Sequence, residues 1–552
     1  MTTLVSDAGT LTRDALAVLQ PGFTGTTAPA WLLAQLREGL SSVGLFGRNI
    51  ESAEQLAALT AELREARPDV LVAIDEEGGD VTRLEARTGS SFPGNLALGT
   101  VDDPTLTREV AHELGRRLAA CGVNLNWAPS ADVNSNPDNP VIGVRSFGGD
   151  PQLVARHTVA YVEGLQAAGV AACVKHFPGH GDTAIDSHHS MPRIDADLST
   201  LHERELVPFR AAVAAGSKCV MSAHILLPAL DEALPGTLSP AALTGLLRAP
   251  QSRGGVGHDG LIVTDGMEMQ AISATYGLER GSVLALAAGA DAICVGGGLA
   301  DEDTVLRLRD ALVRAVRDGE LPRERLADAA ARVRALARWT RGAGALGKEG
   351  SAPALSPPRP GLLGETGPGG TGAGVTRTNV TDTGVTGTDG TAGADVGLRA
   401  ARRALRITAS GDYEPLASPP FVAAFTPLAN IAVGDTTPWG LAPELERLLP
   451  GTRTATYGRD AVAATGAPGL VANVLDAAAD RRIVAVVRDV HRHSWMADAL
   501  DALLAVRPES VVVEMGLPQS PPAGALHIAT HGAARVCGRA AAEVIVGKGA
   551  DG

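Results

Sequence analysis

Between about residue 40 and residue 340, short apolar runs alternate with longer amphipathic stretches. The runs are rich in Val, Ile, Leu and Ala, a composition typical of strands buried on both faces of a parallel sheet. Strand–helix alternation that continues for about 300 residues predicts a TIM-type (β/α)8-like barrel. Seven candidate strands fall at residues 43–46, 70–74, 123–127, 171–174, 219–222, 261–264 and 292–295.

Two of the amphipathic stretches carry helix boundary signals. The stretch AEQLAALTAELREA follows Ser52, a residue type that commonly caps a helix N-terminus. The stretch DPQLVARHTVAYVEGLQAAG ends at a glycine, as helices often do. Both stretches therefore fit helices that connect neighbouring barrel strands.

The rest of the chain indicates a second domain. A chain of 552 residues exceeds the size at which one hydrophobic core stops growing. A Gly/Thr/Pro-rich tract cannot bury enough apolar surface to order itself, and alternation resumes after it with FVAAFT, RRIVAVVRD, SVVVEMG and ALHIATHG. We predict an α/β chain with a catalytic barrel at 1–341, a flexible linker at 342–395 and a smaller α/β sandwich domain at 396–552.

Charge and cysteine usage restrict the partners and the compartment. A net charge of -14 disfavours binding to nucleic acid or anionic membrane, because both need a clustered basic surface. The five cysteines lie far apart without a CxxC pair, as buried thiols of a reducing compartment do. The N-terminus lacks the basic start of a signal peptide, and no apolar stretch approaches about 20 residues. We therefore expect a soluble, cytoplasmic protein.

Polar side chains directly follow four of the candidate strands. These positions are Asp75, Lys175 with His176, His224, and Asp265. The carboxyl ends of barrel strands gather at one mouth, where barrel enzymes have their active sites. One such residue alone is compatible with an ordinary strand-end cap, but four at the same rim predict a functional site.

The histidines raise the alternative of a metal site. Five of the 13 fall in this region: His176, His180, His188, His189 and His224. HFPGH has the spacing of a ligand pair, but Pro178-Gly179 prevents the helix that would place both rings on one face. The glycine-rich strings GPGGTGAG and VGGGLADE lack the strand or lysine of a nucleotide-binding loop. We expect no metal and no other cofactor.

A series of motifs spans the whole predicted barrel, in the order GLFGRNI, AIDEEGGDVTRL, NWAPSADVNSN, GVRSFG, KHFPGHGDTAIDSHHSMP, VMSAHI and GLIVTDGMEM. Together they resemble glycoside hydrolase family 3 and, within it, the β-N-acetylglucosaminidase branch. KHFPGHGDT followed by DSH is the most specific motif. The resemblance implies a retaining exo-β-N-acetylglucosaminidase that removes terminal GlcNAc from small cell-wall-derived saccharides, with a part in peptidoglycan recycling.

The resemblance also implies which residues carry the chemistry. Asp265 in VTDGMEM matches the family's nucleophile, and Asp186 and His188 in DSH match an acid/base dyad. Retaining cleavage needs a carboxylate that attacks the anomeric carbon and a proton donor for the departing oxygen. The donor later acts as a base, and the ordinary pKa of histidine suits both steps. Asp186 would orient the imidazole of His188 and stabilise its charged form.

Other motif residues are implied to bind the sugar, namely Asp75, Arg145, Lys175, His176 and His224. Asp132, Asn134 and Asn136 are expected to brace loops rather than touch substrate. The chain departs from the family pattern at Asp80, where DEEGG is usually followed by a basic residue. It departs again at Gly266, where a bulkier residue is common. Neither change removes a group that does chemistry.

Three other functions remain open. A phosphorylase would resolve the glycosyl-enzyme with phosphate, an anion that a neutral imidazole does not repel. A β-glucosidase of the same family would take its acid/base from the C-terminal domain, where Asp489 and Glu514 end apolar runs. A non-catalytic sugar-binding protein would keep the barrel alone, but retention of Asp265, Asp186 and His188 together argues against it.

Overall fold

The computed structural model describes residues 2–183, 191–297, 301–346, 392–411, 413–427, 433 and 437–548. Its N-terminal part is a barrel of eight parallel strands, which confirms the predicted fold class. The barrel strands are β1 (Leu19–Pro21), β2 (Ser42–Leu45), β3 (Leu71–Ile74), β4 (Leu125–Asn126), β5 (Ala171–Phe177), β6 (Cys219–Ser222), β7 (Leu261–Thr264) and β8 (Ile293–Val295).

The strands pair in chain order around the barrel. One sheet runs from β2 to β7, and β1 pairs with β8. Hydrogen bonds join these parts on both sides. Between β7 and β8, for example, the amide of Thr264 donates to the carbonyl of Ala292 at 3.0 Å, and between β1 and β2 the side-chain amide of Gln20 donates to the hydroxyl of Ser42 at 2.5 Å. Because all the strands run in one direction, their carboxyl ends open at the same mouth.

Helices cover the outside of the barrel. They are α1 (Thr2–Ala17), α2 (Ala30–Glu38), α3 (Ala53–Ala66), α4 (Asn95–Val101), α5 (Pro104–Ala120), α6 (Pro151–Ala167), α7 (Leu198–Thr200), α8 (Leu206–Ala214), α9 (Gln270–Tyr276), α10 (Leu278–Ala288), α11 (Glu302–Arg317) and α12 (Arg323–Leu346). Ser52 caps α3 as predicted, since its hydroxyl accepts the amide of Gln55 at 3.1 Å. A bilayer crossing needs about 20 apolar residues in one helix, and no helix within the described ranges meets that requirement.

All seven strands predicted from the sequence are present, two of them with the predicted bounds. The prediction missed β1. This strand has three residues, and its central Gln20 is fully buried. A run this short, with a polar residue at its centre, gives no apolar pattern to recognise.

The C-terminal domain is a six-stranded sheet between two layers of helices. Its elements are α13 (Ala392–Ala404), β9 (Arg406–Ala409), β10 (Phe421–Phe425), α14 (Ala442–Leu448), β11 (Arg453–Tyr457), α15 (Arg459–Ala478), β12 (Ile483–Val487), α16 (Ser494–Val506), β13 (Val511–Glu514), β14 (Leu526–Ala529) and α17 (Arg535–Ile545). The strand order is β11-β10-β12-β13-β14-β9, with β9 antiparallel to its neighbour.

Successive side chains of the central strands serve opposite faces of this sheet. Val484 and Val486 pack in the core formed with α13, α14 and α17. Ala485 and Val487 pack in the core formed with α15 and α16. The four apolar runs noted in the sequence form β10, β12, β13 and β14. The edge strands β9 and β11 were missed because most of their side chains are exposed.

The helices that border the predicted linker are α12, which ends at Leu346, and α13, which begins at Ala392. Residues 347–391 lie outside the described residues. The division at 1–341, 342–395 and 396–552 therefore stays a prediction.

A buried ion pair joins the two domains. Asp80 follows DEEGG at the barrel mouth, and its carboxylate lies 2.5 Å from the guanidinium of Arg488, the residue after β12. The same carboxylate accepts the amide of Ala533 at 2.7 Å. The acidic residue at this position, which departs from the resembled pattern, thus has its partners in the C-terminal domain.

We predict that Arg488→Met destabilises the protein strongly. Removing one member of a buried ion pair leaves an uncompensated charge, at a cost of about 3–5 kcal/mol in the free energy of unfolding. Thermal and denaturant unfolding measure the change. Arg399→Met is the matched control, because it removes an interdomain pair with Glu109 in which both side chains are about half exposed and should change stability by less than about 1 kcal/mol. Equal effects of the two substitutions would contradict this assignment.

Candidate active site

The strand ends surround a pocket of about 410 Å³ at the barrel mouth. It brings together five of the residues predicted from the sequence, namely Asp75, Arg145, Lys175, His176 and Asp265. The pocket is concave and lined by several convergent charged groups, as enzyme active sites usually are.

Glu77 organises one wall of this pocket. The guanidinium of Arg145 donates to its carboxylate twice, at 3.0 and 2.6 Å, and Lys175 Nζ lies 2.7 Å from it. Burial alone would raise the pKa of Glu77, but the charges of Arg145 and Lys175 outweigh it and hold that pKa well below its usual range. Lys175 Nζ also donates to Asp75 at 2.5 Å. Glu77, Arg145 and Lys175 therefore stay ionised and form a fixed array of charges.

No role was predicted for Glu77. It is the third residue of the acidic run that follows β3, and only the closed barrel brings Arg145 and Lys175, from two other motifs, to its carboxylate. The signal available in the sequence was a run of three acidic residues after one strand, together with an Arg and a Lys in separate motifs that could pair with it.

Asp132 holds the next part of the pocket. Its carboxylate contacts His176 Nδ1 at 2.7 Å and accepts the amides of His176 at 3.2 Å and His180 at 2.7 Å. The hydroxyl of Ser130 donates to it at 2.9 Å. Burial raises the pKa of Asp132, but the His176 ring and these hydrogen bonds lower it to about 2. Its predicted role in bracing a loop is confirmed, and the braced loop carries pocket residues.

Asp265 follows β7 directly. Its Oδ1 accepts the amide of Gly266 at 2.7 Å, and its own amide donates to the carbonyl of Ser222 at 3.1 Å. A carboxylate mounted at a strand end and tied to its own turn keeps one orientation, which favours attack at a fixed carbon atom.

His224 lies outside the lining of the pocket that the described residues form, and its role in sugar binding stays a prediction. Its ring is buried, with Nδ1 2.9 Å from the hydroxyl of Thr237 and Nε2 3.0 Å from the carbonyl of Gly266. His224 thus supports the turn that carries Asp265. A strand-end position gives no information on which way the side chain points.

The predicted dyad Asp186–His188 lies outside the described residues. The described part of its motif, up to Thr183, lines and borders the pocket. Within the described ranges, no three His, Cys, Asp or Glu side chains are grouped so as to hold a metal ion.

Asp489 and Glu514, the acid/base residues of the β-glucosidase alternative, lie elsewhere. Glu514 is buried and accepts the amides of Asp489 at 2.9 Å and Gly516 at 2.7 Å. Burial raises its pKa to about 7. Neither residue lines the pocket formed by the described residues, so this geometry does not favour that alternative.

The match to a protein-family model decides which family the chain belongs to. A model described as the glycosyl hydrolase family 3 N terminal domain matches residues 27–336, more than half of the chain. The chain belongs to glycosyl hydrolase family 3. This membership confirms the resemblance read from the motifs.

Within the family, the chain is similar to several β-hexosaminidases. It is 33% identical over 333 residues to β-hexosaminidase A of Pseudoalteromonas piscicida, covering 56% of this chain and 55% of that protein. It is 38% identical over 293 residues to a β-hexosaminidase of Chromobacterium violaceum, covering 52% of this chain and 79% of that protein. The chain thus spans about half the length of the first relative.

A solved structure matches nearly the whole chain. It is a family 3 β-N-acetylglucosaminidase from Paenibacillus sp. FPU-7, with 33% identity and a TM-score of 0.78, and the match covers 98% of this chain and 97% of that one. Both domains therefore have counterparts in one family member.

We predict that Asp132→Asn loosens the pocket and changes acid stability. Because the pKa of Asp132 is lowered in the folded state, its ionised form stabilises the protein above the ordinary value near 3.8, and this stabilisation is lost as the pH falls through about 2. The melting temperature of the variant should lie below that of the wild type at pH 6, and the gap should narrow below about pH 4. A difference in melting temperature that stays constant down to pH 3 would contradict the lowered pKa assigned to Asp132.

Proposed function

We propose that the chain is a retaining exo-β-N-acetylglucosaminidase that hydrolyses terminal β-GlcNAc from small cell-wall-derived saccharides. The observation that carries the proposal is Asp265, a carboxylate at a strand end, in one pocket with Asp75, Lys175 and Arg145, of which Asp75 and Lys175 form an ion pair. β-Hexosaminidase relatives and the Paenibacillus β-N-acetylglucosaminidase structure support this choice of sugar.

In the proposed mechanism, Asp265 attacks the anomeric carbon as the bond to the departing oxygen breaks. The charged imidazole of His188 gives its proton to that oxygen, and a glycosyl ester of Asp265 forms. Neutral His188 then takes a proton from water while the water oxygen attacks the same carbon. The ester bond breaks, and Asp265 returns as a carboxylate. Each of the two displacements inverts the anomeric carbon, so its configuration is retained overall.

The other pocket residues hold the sugar for this attack. Lys175 and Arg145 donate hydrogen bonds to hydroxyl oxygens, and Asp75 accepts them from hydroxyl protons. Asp132 fixes the ring of His176 at Nδ1, and Nε2 of the same ring lies 3.5 Å from the guanidinium of Arg145. Because these groups are already paired and oriented, little reorganisation accompanies binding.

The proposal includes a cytoplasmic location and a part in peptidoglycan recycling. The five cysteines support the location, since all of them are buried and none forms a disulfide. The pocket has a volume of about 410 Å³, which is consistent with a short saccharide substrate.

We predict that the wild-type enzyme releases β-GlcNAc as the first product from an aryl β-N-acetylglucosaminide. Double displacement retains the configuration, so proton NMR should detect the β-anomer before mutarotation. The assay is run with and without phosphate. An α-anomer would contradict the mechanism, and accumulation of a sugar 1-phosphate would identify a phosphorylase.

We predict that His188→Ala lowers kcat/KM by at least about 100-fold on an aryl β-N-acetylglucosaminide, because general acid and base assistance is lost. Azide should restore turnover and give a glycosyl azide, since azide attacks the glycosyl-enzyme without a base. His189→Ala is the matched control and should stay within about threefold of the wild type. Normal turnover by His188→Ala, with loss of turnover in Glu514→Ala, would contradict the assignment.

A further inference from the structure

Glu268 lies three residues after Asp265, and its carboxylate folds back against the turn that carries Asp265. A Cβ atom at Gly266 would lie 3.0 Å from Glu268 Oε1 and 3.3 Å from Oε2. A Cβ atom at Gly297 would lie 2.6 Å from Oε1. The two glycines therefore form a niche that admits this carboxylate beside Asp265. This niche accounts for Gly266, the residue that departs from the resembled family pattern.

The two carboxylate oxygens of Glu268 have different surroundings. Oε1 accepts the amides of Gly296, at 3.1 Å, and of Gly297. Oε2 is buried and has no hydrogen-bond partner in the part of the chain that the structure describes. Buried polar atoms are almost always hydrogen-bonded, so an unpaired oxygen on a side chain that lines a pocket indicates a ligand contact.

The niche is fixed from behind. Arg48 donates to the carbonyl of Gly296 and, at 3.0 Å, to the carbonyl of Phe23. Its guanidinium also lies over the ring of Phe46, 4.6 Å from the centroid. With Gly296 held in this way, its amide and that of Gly297 keep Oε1 occupied, and Oε2 remains the oxygen available to a substrate.

We propose that Glu268 recognises the acetamido group at C2 of the sugar, with Oε2 accepting a hydrogen bond from the amide N–H. This inference rests on the proposed function, in which Asp265 attacks C1. A group packed against the nucleophile's own turn lies near C1 and its neighbour C2. The remaining hydroxyls face the wall built from β3 to β5, which holds Asp75, Arg145 and Lys175. A carboxylate oxygen accepts and does not donate, which complements an amide N–H.

The isosteric substitution Glu268→Gln tests this directly. The backbone amides of Gly296 and Gly297 require an acceptor at the position of Oε1, so the carboxamide oxygen takes that place. The NH2 group then stands at the position of Oε2 and faces the substrate N–H, donor against donor. A C2 hydroxyl accepts as well as donates, so a glucoside tolerates the same change.

The experiment measures kcat/KM for an aryl β-N-acetylglucosaminide and for the matching aryl β-glucoside. We expect Glu268→Gln and Glu268→Ala each to lower the ratio of the two values by about 10- to 100-fold, the effect of losing a hydrogen bond to a charged group. Gly266→Ala should lower the same ratio, because its Cβ displaces the carboxylate while Glu268 itself is kept. Gly245→Ala is the matched control, since its Cβ meets no atom closer than 3.6 Å, and should leave the ratio unchanged.

The possible results distinguish a failure of the proposed glycosidase function from a failure of the proposed role of Glu268. A wild-type protein that hydrolyses neither substrate overturns the proposed function. A wild type that prefers the acetamido sugar, with an unchanged ratio in Glu268→Gln, overturns the role of Glu268. Equal loss on both substrates also overturns it, because it would mean that Glu268 supports Asp265 rather than reading C2. Thermal unfolding of each variant shows whether it is folded. If a substitution at Glu268 unfolds the chain, Gly266→Ala still tests the role of the Glu268 carboxylate.

Discussion

The pocket depends on one buried electrostatic arrangement, the carboxylate of Glu77 held between Arg145 and Lys175. Each of these side chains is almost fully buried, and a buried charge is tolerated only when it is paired and hydrogen-bonded. Glu77 follows β3, Arg145 follows β4 and Lys175 lies in β5, so their pairing requires the barrel to close in the correct register. Lys175 also bridges to Asp75. In the proposed function, the charges that stabilise the closed barrel are therefore the same ones that bind the substrate.

The second domain is tied to this arrangement through the chain segment that follows Glu77. Gly78 and Gly79 lead directly to Asp80, whose carboxylate pairs with Arg488 and accepts the amide of Ala533. The segment that supplies Asp75 and Glu77 to the pocket is therefore anchored at its far end by the C-terminal domain. The C-terminal domain thus contacts the segment that carries Asp75 and Glu77. Its own buried acid, Glu514, does not line the pocket formed by the described residues.

The sequence predicted the features that repeat along the chain and missed those that depend on a single contact. Strands with continuous apolar runs, such as Cys219–Ser222 and Leu261–Thr264, were placed correctly because burial on both faces leaves a clear pattern. β1 was missed because Gln20 interrupts it. Asp75, Lys175, His176 and Asp265 were correctly expected to meet at one mouth, which follows from parallel topology alone. The inward or outward direction of His224 and the convergence on Glu77 depend on the closed barrel, so neither was available from the sequence. The assignment of Asp186 and His188 stays a prediction.

The central claim is that Asp265 forms a covalent bond to the sugar, and a trapped intermediate tests it most directly. A 5-fluoro derivative of N-acetylglucosamine with a good leaving group slows both steps by destabilising the oxocarbenium-like transition state, so the glycosyl-enzyme accumulates. Intact-mass measurement should then show one added fluorosugar per chain, and peptide mapping should place it on Asp265. An adduct on Glu268 or Asp75, or turnover without any adduct and with inverted product, would contradict the account.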